Sequence, residues 1–248
     1  MKIQRKCLSE KREESGAMTN MKTTLVILTK NEVEGLRQIY PKLPLNEIDE
    51  CFLLDANSND GTIEFARSKG LKVVQQKVQG YGRAFNQAVE VATGDIIVFF
   101  RPDGNENPED IIKLIQEIKG GHDMVIASRF AKGGKSDDSD DPLLLRRMGN
   151  KFFTWLANML WGYSLTDSIN GFRAITKTAF QKLKIDADSF NVEYQMSIRA
   201  MKANMSIAEI PTIEGKRIGG KRKSHTRNFY KFIWTVVREV LAGYRPEN

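Results

Sequence analysis

Cysteine is scarce. The 248 residues hold two, Cys7 and Cys51, far apart, with neither a CxxC partner nor a histidine cluster beside them. They can build no disulfide framework and no structural zinc site, so a reducing, cytoplasmic setting is expected. Long apolar runs are missing as well. The longest stretch without a charge, Phe152 to Thr166, has fifteen residues broken by Thr, Asn, Gly and Ser, too short and too polar for a bilayer span. The basic start (Lys2, Arg5, Lys6) runs into more charge rather than an apolar core, so it does not read as a secretory signal and export is not expected. Residues 1–21 show no apolar period and are expected to form a disordered tail. The rest has ample apolar residues for one sizeable core, which excludes disorder of the whole chain.

What the chain has in excess is positive charge, and it is concentrated. Seven cations and no carboxylate lie between Lys216 and Lys231, a surplus equal to the formal net charge of +7. Such a block points to an anionic partner: a phosphate ester, a membrane surface or nucleic acid. It lacks interleaved stacking aromatics and any recognisable nucleic-acid module, so nucleic acid is not expected.

From Lys22 strands and helices alternate. TTLVILT is followed by a helix opened by Asn31, ECFLLD by one capped by Asp60, and LKVVQ by one over about 81–92. DIIVFF then leads to a helix begun by Asn107 and Pro108, and DMVIAS follows. Short apolar strands separated by amphipathic helices predict an α/β fold. Its mostly parallel, Rossmann-like sheet is covered on both faces, with ligands beyond the carboxyl ends of the strands. After Ser128 the alternation stops. The acidic run Asp137 to Asp141 reads as a solvated loop. Phe152, Trp155, Leu156, Met159, Leu160 and Tyr163 form one helical stripe, expected to pack in the core. A second stripe, Phe229, Phe232, Ile233, Val236, Val237, Val240 and Leu241, directly follows the basic block. It suits the core or a membrane interface equally.

The strand ends carry the chemistry. Asp55 at the tip of strand two is placed to hold a ribose or base. FFRPDGNENPED brings Asp103 and Asn105 to where a diphosphate or its metal would sit. GYGRAF does not complete the dinucleotide fingerprint, because its sixth position is Phe85.

Six segments in order then resemble one family. LTKNE stands for PTYNE, DANSNDGT for DDGSxDGT, and GYGRAFNQAVEVATGD for the glycine-containing helix followed by GD. SRF stands for the SR segment, DSINGFRA for SGFRA, and EIPTIEGKRIGGKRK for EVPxxFxxRxxGxSK. Over roughly residues 22–224 the chain resembles the family 2 glycosyltransferases of the GT-A fold. The nearest branch is that of dolichyl-phosphate mannose synthase and bacterial polyprenyl-phosphate sugar transferases. The resemblance implies a GT-A domain over 22–225, with an amphipathic helix over 226–248. It also implies inverting transfer of a sugar from a nucleotide diphosphate sugar to a polyprenyl phosphate, at the cytoplasmic face of an anionic membrane. A sugar hydroxyl as acceptor, or a silent nucleotide-sugar-binding protein, are the alternatives, and a homo-oligomer is left open.

The residues follow from the same resemblance. Leu28, Lys30, Glu32 and Asp55 would hold the nucleoside, and Arg83, Arg129, Arg217 and Lys223 the donor. Asp167 would be the base for a hydroxyl acceptor, and Arg173 the ligand of an acceptor phosphate. The family's DxD departs here: Arg101 replaces the first acid. Either Asp103 and Asn105 still hold Mg²⁺ or Mn²⁺, more weakly, or Arg101 supplies part of the metal's charge.

Overall fold

The computed structural model describes residues 20–139, 144–219 and 229–241. Lys223, Asp140, Asp141, the boundary at 225 and 226, and all of the tail up to residue 19 lie outside them. Seven strands form one sheet: β1 (Thr23–Thr29), β2 (Glu50–Asp55), β3 (Lys72–Gln75), β4 (Ile96–Phe100), β5 (Met124–Ser128), β6 (Arg173–Thr176) and β7 (Ile207–Pro211), in the order β3-β2-β1-β4-β6-β5-β7. β6 pairs antiparallel with β4 and β5, and every other pairing is parallel. The five expected strands are present. The expectation that alternation ends at Ser128 is corrected, because β6 and β7 complete the sheet.

Eight α-helices are described: α1 (Val33–Ile39), α2 (Thr62–Ser68), α3 (Tyr81–Val91), α4 (Asp110–Lys119), α5 (Leu145–Trp161), α6 (Lys177–Leu183), α7 (Val192–Lys202) and α8 (Phe229–Leu241). Successive side chains of a strand point to opposite faces, so β1 feeds two cores. Leu25 and Ile27 pack with Leu36 and Ile39 of α1 and with Ile111, Leu114 and Ile118 of α4. Val26 and Leu28 share the opposite core with Phe85 of α3, Phe153 of α5, Phe180 of α6 and Tyr194 of α7. Each such apolar side chain, fully buried, contributes about 1.5–3 kcal/mol.

The expected helix starts are shifted. Asn31 sits at φ +53° and does not cap α1. Asp60 reaches across instead, accepting from the Val33 N–H at 3.0 Å and from the Thr62 N–H at 3.0 Å, so that one carboxylate serves the starts of α1 and α2. α4 begins at Asp110, two residues past Pro108.

α5 corrects the core assignment for part of its stripe, since Leu156 and Tyr163 pack half-buried against the core and the other four residues do not. Only Phe153, Thr154 and Ala157 are buried, while Met148, Phe152, Trp155 (55% exposed), Met159 and Leu160 face outward. α8 is turned the same way. Its buried residues are Thr235, Val236 and Glu239, and Tyr230, Ile233, Trp234 (63% exposed), Val237, Val240 and Leu241 face outward. Glu239 pairs with Arg199 of α7 at 2.8 Å and with Lys202 at 3.4 Å, and Asn191 donates to Thr235 at 2.9 Å. A helix that turns a carboxylate inward and an apolar face edged by Tyr230 and Trp234 outward reverses the usual arrangement of a globular surface. No helix among the described residues is long and apolar enough to cross a membrane.

Candidate active site

Six strands point their carboxyl ends the same way, and β6, running opposite, begins at that end. The loops there enclose a cavity of about 800 Å³. β1 supplies Leu28 and then Lys30 and Glu32, β2 supplies Ala56 and Asn57, β4 supplies Arg101, Asp103 and Asn105, β5 supplies Arg129, and β7 is followed by Glu214 and Arg217. Eight expected residues, Leu28, Lys30, Glu32, Arg101, Asp103, Asn105, Arg129 and Arg217, thus meet around one space.

Charged pairs hold these groups in place. Arg217 bridges Asp103 and Glu32, at 2.6 Å to each, and its buried Nε–H has no hydrogen-bond partner among the described residues. Arg101 donates from its backbone N–H and its Nε–H to the two carboxylate oxygens of Glu106, both at 2.7 Å. Burial, opposed by Arg101, pushes the Glu106 carboxyl up to about 7. The Nη groups of Arg101 make no hydrogen bond to a described residue, and the side chain lines the cavity.

Four expected residues do not face this space. Asp55 stands at the tip of β2 but is fully buried, accepting from Thr29 Oγ1 (2.8 Å), Ser58 N (2.7 Å) and Ser58 Oγ (2.5 Å). It fixes the loop that carries Ala56 and Asn57. Arg83 is exposed on α3 and borders a separate depression with Lys77 and Lys177. Asp167 is fully buried and holds Arg129 through two oxygens, at 2.7 and 3.0 Å, so it aims a cation rather than accepting a proton in the cavity. Arg173, fully buried in β6, donates to the carbonyl oxygens of Asn170, Glu193 and Ser168 and to Ser197 Oγ. Its donors are spent on the frame in this arrangement.

Two groups were missed. Glu193, in the first turn of α7, lines the cavity while only 4% exposed. Burial raises its carboxyl, partly offset by Arg101, Arg173 and a hydrogen bond from the Tyr81 hydroxyl. Tyr81 is stacked on Phe190 with ring centroids 4.7 Å apart. Both converge over Gly171, where an added Cβ would lie 2.8 Å from Glu193 Oε1, 3.3 Å from the Tyr81 hydroxyl and 3.5 Å from Arg101 Nη2. Any larger residue there would push against the Glu193 carboxylate. Tyr81 stands in the GYGRAF segment, whose glycines drew notice and not the ring between them, while Glu193 stands in no motif that follows a strand.

The donor set does not suit a divalent cation. Asp103 Oδ2 is taken by Arg217 at 2.6 Å and Oδ1 by the Asn105 N–H at 3.1 Å, while the Asn105 amide donates to the Gly215 carbonyl at 2.8 Å. Among the described residues no group of three or more His, Cys, Asp or Glu side chains could hold a metal ion. Mg²⁺ and Mn²⁺ prefer several oxygen ligands, and a guanidinium occupies the position of the first acid.

Part of the cavity lining is apolar. Leu145, Gly149 and Phe153 of α5 and Phe229 and Phe232 of α8 line it, with the Phe153 ring 4.9 Å from Phe229 and 5.4 Å from Phe232. The charged floor therefore runs into the two helices whose outer faces are apolar.

Residues 24–184 match the model of the family described as glycosyl transferase family 2. A dolichol-phosphate mannosyltransferase of Pyrococcus furiosus is 26% identical over 228 residues, covering 88% of this chain and 63% of that protein. The glycosyltransferase AglJ of Haloferax volcanii is 27% identical over 185 residues, covering 74% of this chain and 60% of that protein. The chain thus spans less than two thirds of either relative. Among solved structures, glucosyl-3-phosphoglycerate synthase from Mycobacterium tuberculosis in complex with Mn²⁺ and uridine-diphosphate-glucose superposes with a TM-score of 0.69. It is 20% identical, covering 93% of this chain and 81% of that one.

Proposed function

Because the chain belongs to glycosyl transferase family 2 and has the GT-A fold, we propose that it moves a sugar from a nucleotide diphosphate sugar to a polyprenyl phosphate at the cytoplasmic surface of a membrane. One observation carries this reading: a single cavity is lined both by fixed guanidiniums and by apolar side chains of α5 and α8, the two helices whose other faces expose apolar residues. A lipid phosphate has the same two ends. The names of the archaeal relatives support the same acceptor class.

The residues divide the work by position. The nucleoside lies over β1 and β2, against Leu28, Lys30 and Asn57. The diphosphate faces Arg101, Arg129 and Arg217. As the bond to the sugar breaks, negative charge grows on the leaving diphosphate, and guanidiniums already held by Glu106, Asp167, Asp103 and Glu32 meet it without reorganising. An acceptor phosphate arrives ionised and needs no base. A sugar hydroxyl is the second reading, favoured by Glu193, a buried carboxylate in the cavity suited to take its proton.

Turnover of a panel of nucleotide sugars, measured with and without a short polyprenyl phosphate, tests the proposal. The lipid phosphate should raise consumption of one donor and form a lipid-linked sugar. Equal stimulation by a soluble sugar, with no lipid product, would favour the second reading. In the same assay Gly171→Ala should lower turnover by about 10- to 100-fold with little change in melting temperature, because the new methyl displaces Glu193 and Tyr81. Wild-type turnover in that variant would show that the point over Gly171 lies outside the reacting space.

A further inference from the structure

We infer that the charge of the donor diphosphate is met in this chain by Arg101 and Arg217, in the place where relatives of the same fold use a divalent cation. The inference rests on the donor reading above and concerns how that site works. Three features of the cavity carry it.

The first is substitution with support. Arg101 does not merely replace an acid: Glu106, five residues on, grips its backbone N–H and its Nε–H at 2.7 Å each, and Glu106 is itself buried. This two-point hold fixes the guanidinium plane and leaves the Nη edge toward the cavity, beside Tyr81 and Glu193. A solvated arginine filling a vacated position would have no such partner.

The second is the engagement of the surviving acid. Asp103 and Glu32 hold Arg217 between them at 2.6 Å each. The carboxylate that would ligate a metal therefore aims a cation supplied by the chain itself. Among the described residues the buried Nε–H of Arg217 finds no acceptor, so Asp103 and Glu32 do not use the whole donor capacity of this guanidinium.

The third is charge and shape. Two guanidiniums carry together the formal charge of one divalent cation, stay protonated at any working pH, and present planar forks that match phosphate oxygens. In both designs carboxylates anchor the positive charge. Here the charge is covalently attached and cannot be chelated away.

Calorimetric titration of the full chain with UDP and with GDP, in EDTA and then with Mg²⁺ or Mn²⁺, tests this. At least one nucleotide should bind in EDTA, and added cation should leave its affinity unchanged. Arg101→Gln should weaken that binding at least about tenfold under both conditions, the loss expected of a charge-assisted hydrogen bond. Arg101→Asp should weaken it in EDTA and regain it with Mn²⁺, a change of sign that a merely structural arginine would not produce. Binding by the wild type only when Mg²⁺ or Mn²⁺ is present would overturn the inference and leave the donor reading standing. Failure of both nucleotides to bind under every condition would remove the donor reading and the inference with it. If the variants do not fold, the wild-type comparison decides alone.

Discussion

Asp167→Ala should cost the protein about 3–5 kcal/mol of folding stability, the usual penalty for leaving a buried charge without its partner. Asp167 is fully buried, and Arg129, 9% exposed, gives it two side-chain hydrogen bonds and one from its backbone N–H. The carboxylate also accepts from the Asn170 N–H at 3.2 Å, so its loss loosens the turn that leads into β6. Urea unfolding followed by circular dichroism measures the effect. Arg129→Met in the same chain should restore part of the loss, because the orphaned cation is then gone. A general base would behave differently, losing turnover while the unfolding midpoint stayed where it was. That result would return Asp167 to the role the resemblance assigned it.

The second large effect concerns the membrane. Trp155→Glu combined with Trp234→Glu should release the protein from anionic liposomes by at least about two orders of magnitude in partition. Each tryptophan withdraws an apolar side chain worth roughly 1.5–3 kcal/mol of burial, and each glutamate adds repulsion from the anionic leaflet. Both tryptophans are more than half exposed, so the fold should tolerate the change and the melting temperature should stay nearly constant. Cosedimentation with vesicles containing phosphatidylglycerol reads the partition. Lys151 on α5 and Lys231 on α8 add cations to this face. Equal recovery of wild type and variant in the vesicle pellet would show that this face meets something other than lipid.

Strands β1, β2, β4 and β5 were legible because each is a short apolar run bounded by turn residues, and the sheet buries nearly every position of them. β6 was not. Its four residues begin with Arg173, which the resemblance assigned to an acceptor phosphate and which does not suggest a strand until the Asn170, Ser168 and Glu193 carbonyls are folded around it. The site was legible where a motif directly follows a strand, as with Lys30, Asp103 and Arg129. The same logic does not separate an acid that ties down a loop, as Asp55 and Asp167 do in this arrangement, from an acid that faces a ligand, since both occupy the same place in the sequence. Glu193 was invisible for another reason: α7 is buried throughout from Val192 to Met201, so no polar face singles out one carboxylate. The stripes of α5 and α8 were read as periodic, but periodicity does not say whether the apolar side meets protein or lipid.

The antiparallel strand has a consequence for how the chain comes together. β4 and β5 follow one another in sequence yet are not neighbours, and the slot between them is filled by residues 173–176. During synthesis the first four strands can pair as soon as they emerge, whereas β5 has no partner until β6 and β7 appear. Two unsatisfied sheet edges are thus held open while the intervening loop and α5 are made, a period in which such edges invite pairing between chains. The last closure depends on contacts distant in sequence, which form slowly, and it inserts the Arg173 guanidinium among its carbonyls at the same moment. The strand that fills the slot in the sheet and the segment over Gly171 are thus adjacent in the chain, so residues 171–176 serve both the core and the site.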